Sequence, residues 1–248
     1  MKKCYIFLIA MLAAGCTSIN VEKINAQKNN VEKNASKFEE MPSVGLSCGS
    51  KTRIEENLKM DILLKIQKSS DEKDQIREIW KYIKSEYRDG ELTDGANVRD
   101  VNTIIRTKEL KHCGEYGVLW LALLRVYGIP CEYIATLNLR EASNLSMNSW
   151  SGHVLIYAFA DNQYFLIDST RGLIFKNYNS KDRLLPIKII GFADEGLIEM
   201  FRCIDIGSYI NNSKDYARYI DETKDYFIQN KRNPSYSLDT YRILDTNW

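Results

Sequence analysis

Cysteine, histidine and aspartate occur in this chain in an order that could do thiol chemistry. The run Lys111-His112-Cys113-Gly114-Glu115-Tyr116 opens a long apolar stretch that ends at Gly128-Ile129-Pro130. It predicts a cysteine in the first turn of a helix. There, unpaired N–H groups and the positive end of the helix dipole favour a thiolate over a thiol. The chain has only two histidines, His112 and His153, and the second is followed by Asp168. A thiol nucleophile, a base and a carboxylate that orients the base are the parts of a covalent acyl-transfer site.

The elements that must position these residues are legible around them. Residues 113–127 are apolar on most sides (Val118, Leu119, Trp120, Leu121, Leu123, Leu124), which predicts a helix buried in the middle of a domain. Gly128 suits the position just past its end, and Pro130 blocks continuation. Cys131, Tyr133, Ala135, Leu137 and Leu139 then alternate with polar residues as a strand does. Gly152–Phe159 and Tyr164–Asp168 read as a hairpin around Ala160-Asp161-Asn162-Gln163. A turn of two or four residues centred between Asp161 and Asn162 sets Leu155 opposite Asp168. His153 then lies on the same face and diagonal to Asp168, a separation of ~7–8 Å at the backbone. A three-residue turn would put the two on opposite faces.

Helical periods precede this region. Ile54, Leu58, Ile62 and Ile66 predict a helix over 53–67. Ser69 and Glu72 resemble a capping box, and Ile76, Ile79, Trp80, Ile83 and Tyr87 form an amphipathic helix stopping near Asp89-Gly90. A polar loop over 90–99 leads to a short helical piece at Val101, Ile104 and Ile105. Downstream, residues 140–151 read as a loop, Leu173–Phe175 and Pro186–Phe192 as strands, and 213–229 as a last helix with its aromatic stripe in the core. Helices first, then mostly antiparallel strands, predict an α+β domain.

The N-terminus reads as an export signal. Lys2 and Lys3 precede an apolar run from Tyr5 to Ala14, and Leu12-Ala13-Ala14-Gly15-Cys16 resembles a bacterial lipobox, with Ala13 where leucine is usual. That likeness implies cleavage before Cys16 and lipidation of its sulfur. An ordinary cleaved signal with an incidental cysteine is the alternative. The apolar run is shorter than the roughly 20 residues a membrane span needs. The expected organisation is a signal peptide at 1–15, a lipidated Cys16 with a tether through 47, and one domain over 48–248. The tether, rich in Asn, Lys and Glu, buries too little apolar surface to order itself. The protein is thus expected outside the cytoplasm, lipid-anchored to a bacterial membrane. Thr17 lacks the aspartate that commonly retains lipoproteins at an inner membrane, which favours the outer one if two are present.

A net charge of +1 over 248 residues leaves no basic footprint for nucleic acid. The two histidines and scattered cysteines lack zinc-ligand spacing, so neither metal nor cofactor is expected. With Cys4 and Cys16 at the N-terminus, Cys48, Cys113, Cys131 and Cys203 remain. A nucleophilic Cys113 must be free, so at most one disulfide forms, Cys48–Cys203 being one option. Cys131 reads as a small buried apolar residue.

Taken together, Cys113-Gly114-Glu115-Tyr116, the stretch from Leu123-Leu124-Arg125 to Gly128-Ile129-Pro130, the His153 strand and Asp168-Ser169-Thr170 resemble the transglutaminase-like superfamily over about residues 73–175. The resemblance implies a papain-like core with Cys113 as nucleophile, His153 as base and later acid, and Asp168 as the orienting carboxylate. It implies an oxyanion met by the Cys113 N–H and one other donor, for which Asn102, Asn148 and the Trp150 indole are candidates. Lys111 stands where the family often has glycine, and Leu155 where it often has tryptophan. His112 reads as a solvated neighbour of the cysteine. Glu115 favours the helix dipole but would oppose a thiolate if it pointed at Cys113. The expected function is a thiol enzyme acting on amide bonds of proteins or peptides, hydrolysis being favoured over transamidation. The alternatives are a catalytically silent lipoprotein that binds a peptide or protein in the same cleft, and a chance triad in which Cys113 is only a core residue.

Overall fold

Apolar periodicity decides the helices that lead into the site. The computed structural model describes residues 45–91, 97–142, 151–176, 186–189, 193–210, 213–230 and 241–242, all within the unit Pro42–Trp248. The signal sequence, lipobox and most of the tether lie outside the described residues, as do Asn148 and Trp150. Helix α1 (Glu56–Lys65) buries Ile62 and is shorter than expected, because Ile66 turns to extended backbone. Helix α2 (Glu72–Glu86) buries Ile76, Ile79, Trp80 and Ile83, the stripe its spacing required.

The cap of α2 differs from the expected Ser69–Glu72 box. Asp71 is the N-cap, its carboxylate accepting the Asp74 N–H at 2.9 Å, while Ser69 Oγ accepts the Asp71 N–H at 3.3 Å. A tertiary contact fixes this start. Asp161 accepts the N–H groups of Glu72 (3.3 Å) and Lys73 (3.1 Å), and Glu72 accepts the Asp161 N–H at 2.6 Å. Three donors at the helix start, which have no partner within the helix, are thereby satisfied.

Two short strands flank the next helix. β1 (Arg88–Asp89) pairs in parallel with β2 (Glu109–Leu110). Helix α3 (Val101–Thr107) lies between them, capped by Asp100, which accepts from Asn102 and Thr103 at 3.0 Å each. Helix α4 (Cys113–Val126) follows, with residues 114–125 all buried. Gly128 after it has φ +77°, the left-handed conformation that glycine adopts without a steric penalty. Gly117 lets α4 approach the sheet: a β-carbon there would lie 2.6 Å from both the Tyr133 ring and Val154.

Among the described residues the sheet has seven strands: β3 (Cys131–Asn138), β4 (Val154–Ala160), β5 (Gln163–Asp168), β6 (Ile174–Lys176), β7 (Ile187–Ile189), β8 (Ala193–Cys203) and β9 (Tyr241–Arg242). Their order is β7-β8-β3-β4-β5-β6-β9, every neighbouring pair antiparallel. A short helix, α5 (Leu139–Ala142), follows β3, and α6 (Ser213–Asn230) comes late in the chain. Side-chain alternation gives the sheet two buried faces. One, carrying Cys131, Tyr133 and Val154, packs on α4. The other carries Ile134, Leu155, Tyr157 and Leu166, also buried. The fold is α+β as expected, a buried helix beginning at Cys113 and packed on an antiparallel sheet.

Cys48, Cys113, Cys131 and Cys203 are all free thiols, so the suggested Cys48–Cys203 bridge is absent. Cys131 is fully buried beneath α4. Among the described residues, no helix is long and apolar enough to cross a membrane.

Candidate active site

Hairpin geometry brings the histidine and the aspartate together. Asp161 and Asn162 have φ of 48° and 59°, the positive pair that a two-residue turn of the primed type needs and that Asp and Asn tolerate. Such a turn sets Leu155 opposite Asp168. His153 lies just ahead of β4, and its Nε2 is 2.9 Å from Asp168 Oδ1. His153 is 5% exposed and Asp168 not at all.

Each partner is held by its backbone surroundings. Thr136 on β3 clamps His153: its Oγ1 accepts the His153 N–H at 3.1 Å and donates to the His153 carbonyl at 2.9 Å, and that carbonyl also accepts the Thr136 N–H. Asp168 Oδ1 accepts the N–H and hydroxyl of Thr170 and the N–H of Arg171, at 3.0–3.1 Å. Ser169 Oγ donates to the Val154 carbonyl at 2.7 Å and lies 3.4 Å from the Cys113 carbonyl. Trp120 Nε1 donates to the Ser169 carbonyl at 2.8 Å. The end of β5, the start of β4 and the start of α4 are thus tied together by hydrogen bonds.

Cys113 is the first residue of α4 and is partly exposed. Its sulfur lies near enough to His153 to help hold the imidazole protonated, as Asp168 does. With Nε2 on the carboxylate, Nδ1 is the ring nitrogen left for sulfur. Burial alone would lower the pKa of this imidazole. The hydrogen bonds and negative charge of Asp168 and Cys113 outweigh it and push His153 from 6.5 up to about 9. Burial works against ionising Asp168 too, but the His153 contact and the Thr170 and Arg171 N–H groups hold its carboxyl below the usual range.

His112, half-buried, does more than neighbour the cysteine. It is the N-cap of α4, its Nδ1 accepting the Gly114 N–H at 3.2 Å, a task usually given to Ser, Thr, Asp or Asn. Glu115 is fully buried and turned onto Arg99 and the Lys111 N–H. The Cys113 N–H is taken up by no hydrogen bond among the described residues, which leaves it as a donor for an oxyanion. Asn102 is turned onto another segment, its Oδ1 accepting from Glu55 N and its Nδ2 donating one proton to the Arg53 carbonyl. No group of three or more His, Cys, Asp or Glu among the described residues could hold a metal ion.

An α+β domain with a cysteine at a buried helix start, and a histidine just ahead of β4 paired with an aspartate at the end of β5, has a papain-like layout. Residues 61–169, somewhat under half of the chain, match the model of the transglutaminase-like superfamily, so this stretch is a transglutaminase-like domain. No curated protein matches the sequence. Among solved structures it is similar to a proposed cysteine protease from Cytophaga hutchinsonii, with 15% identity and a TM-score of 0.43. That match covers 66% of this chain and 47% of the other. It is also similar to a proposed protease from Parabacteroides distasonis, with 16% identity, a TM-score of 0.37, and coverage of 54% and 30%. The chain thus spans about half or less of the length of either neighbour. At these TM-scores neither adds to the assignment.

Proposed function

We propose that this protein is a thiol enzyme that cleaves amide bonds in proteins or peptides outside the cytoplasm, held at a membrane by a lipid on Cys16. One observation carries the reading: His153 joins Asp168 at 2.9 Å, and Cys113 at the start of α4 lies near enough to the imidazole to favour its charged form. The Cys113 sulfur attacks the substrate carbonyl carbon, and the oxyanion that forms is met by the Cys113 N–H. His153 holds its proton at neutral pH and gives it to the leaving nitrogen as the C–N bond breaks, which leaves a thioester. Water then attacks the thioester and gives a proton to His153. The carboxylic acid departs and the Cys113–His153 pair is restored. Asp168 fixes the ring and stabilises its charged form throughout. Hydrolysis is favoured over transamidation because water is abundant and no amine-binding group is identified among the described residues.

The test is incubation of the purified chain with a peptide library in ¹⁸O-labelled water, with and without an added primary amine, read by mass spectrometry. Label in new carboxyl termini that disappears with Cys113→Ala supports the hydrolase. Amine adducts in place of label would move the reading to transamidation. Peptide retained without any turnover, equally by wild type and Cys113→Ala, would make the cleft a binding site and end the enzyme reading.

A further inference from the structure

We propose that Arg99 and Glu115 are a positioning pair that sets the reactivity of Cys113; this rests on the reading of Cys113 as nucleophile. Glu115 stands in the first turn of α4, two residues past the cysteine, and is 0% exposed. Its carboxylate accepts from Arg99 Nε at 2.5 Å, from Arg99 Nη2 at 2.7 Å and from the Lys111 N–H at 2.8 Å. The same guanidinium donates to the Glu109 carbonyl at 2.9 Å and to Thr107 Oγ1 at 3.2 Å. One side-chain pair therefore links the segment before α3, the end of α3, strand β2 and the turn that delivers His112 and Cys113.

A clip for stability alone has no need of charge, since buried ion pairs are often replaced by apolar residues without loss. Two features single out a role toward the cysteine. The carboxylate fixes the backbone of Lys111, two residues before the nucleophile, and so orients the turn that presents the sulfur. It is also a full negative charge in the helix turn that holds Cys113, where it would disfavour a thiolate if uncompensated. Arg99 compensates it in a bidentate geometry.

The other titratable or charged groups that bear on the cysteine are His112 ahead of α4, His153 ahead of β4, Asp168 at the end of β5 and Tyr133 on β3. Those that bear on Glu115 are Arg99 and His112, and those on Arg99 besides Glu115 are Glu109 and Asp100.

The experiment is peptide-resolved alkylation of Cys113 by iodoacetamide across pH 4.5–9, on the intact protein. Wild type, His153→Ala, Arg99→Gln, Arg99→Lys, Glu115→Gln and the double Arg99→Gln/Glu115→Gln variant are compared. Arg99→Gln leaves the carboxylate uncompensated and is expected to move the midpoint of the profile up by about one pH unit, about tenfold slower labelling below it. Glu115→Gln leaves the guanidinium and should move the midpoint down. The double variant should return to within about 0.3 unit of wild type, and Arg99→Lys should fall between wild type and Arg99→Gln.

Opposite signs that cancel are not the signature of a structural clip. Shifts of the same sign in both single variants, or midpoints unmoved while the melting temperature falls, would overturn the pair's role. If Arg99→Gln does not fold, Arg99→Lys, with a smaller upward shift, and Glu115→Gln, with a downward one, still test for opposite signs. A wild-type profile that responds to His153→Ala but not to the Arg99 or Glu115 variants sinks this proposal alone. One indifferent to His153→Ala sinks the nucleophile reading with it.

Discussion

Asp168 takes four hydrogen bonds on one carboxylate oxygen: His153 Nε2 at 2.9 Å, the Thr170 N–H and hydroxyl, and the Arg171 N–H. Its other oxygen, Oδ2, is buried with no hydrogen-bond partner among the described residues. The aspartate is thus held by its own turn and aimed at the imidazole. Asp168→Asn should keep the fold, since the amide oxygen can still accept from Thr170 and Arg171. It should lower turnover by ~10²-fold or more, because the neutral group no longer favours a charged His153. Circular dichroism and peptide turnover on the same sample check this, and an Asn variant as active as wild type would contradict it.

His153 links the site to stability. Its folded pKa, raised from 6.5 to about 9, contributes stability that is fully present below about 6.5 and is lost as pH rises through 9. A shift of that size corresponds to roughly 3 kcal/mol as an upper figure. Asp168 acts at the other end, its lowered value contributing above the ordinary carboxylate range and fading as pH falls through the folded value. Cys113→Ala removes one of the two partners that raise the imidazole. The His153 resonance, one of only two histidine signals in the chain, should then titrate below 9 yet above 6.5. Titration by NMR decides it, and an unchanged midpoint would mean that Cys113 does not face the ring.

A second pH dependence comes from the far face of the sheet. Glu132, Glu199 and Arg202 are nearly buried together, Arg202 bonding Glu199 at 2.6 Å and lying 3.9 Å from Glu132. Burial pushes Glu132 up to about 7, Arg202 opposing and Glu199 adding. Ionising this group therefore costs stability as pH rises from about 4.5 to about 7. Glu132→Gln should gain on the order of 1–2 kcal/mol at pH 8 relative to its effect at pH 5. Thermal melts at the two pH values measure this, and equal effects at both would refute it.

The β4–β5 turn is tied to α2 through Asp161. Asp161→Ala loses two N-terminal acceptor contacts and places alanine at positive φ, which should cost about 1–2 kcal/mol. Asp161→Asn, which tolerates the turn and keeps one acceptor oxygen, should cost less. Urea unfolding of both variants checks the order.

Much of the site was legible because its determinants are local. A nearly unbroken apolar run names a buried helix, and two turn residues fix hairpin parity, so the helix start at Cys113 and the His153–Asp168 contact follow from local sequence. What escaped is non-local. Arg99 and Glu115 meet across 16 residues with no periodic signal. Thr136 grips His153 from a neighbouring strand. Strand β8, the central partner of β3, hides because Glu199 and Arg202 break its apolar alternation and are accommodated as a buried pair. Strands β1, β2 and β9 are two residues each, too short to carry a period. The α2 cap falls at Asp71, two residues past Ser69, because Asp161, far along the chain, helps choose the helix start.

The central claim is that His153, held by Asp168, activates Cys113. Its most direct test is the rate of Cys113 alkylation against pH, read on its own peptide, in wild type and His153→Ala. An unperturbed thiol titrates near ~8.5, and paired catalytic thiols at ~3.5–7.5. The account expects labelling that stays fast well below pH 7 in wild type and loses that acid limb in His153→Ala. A profile that rises only near pH 8–9 and is the same in both proteins would contradict it.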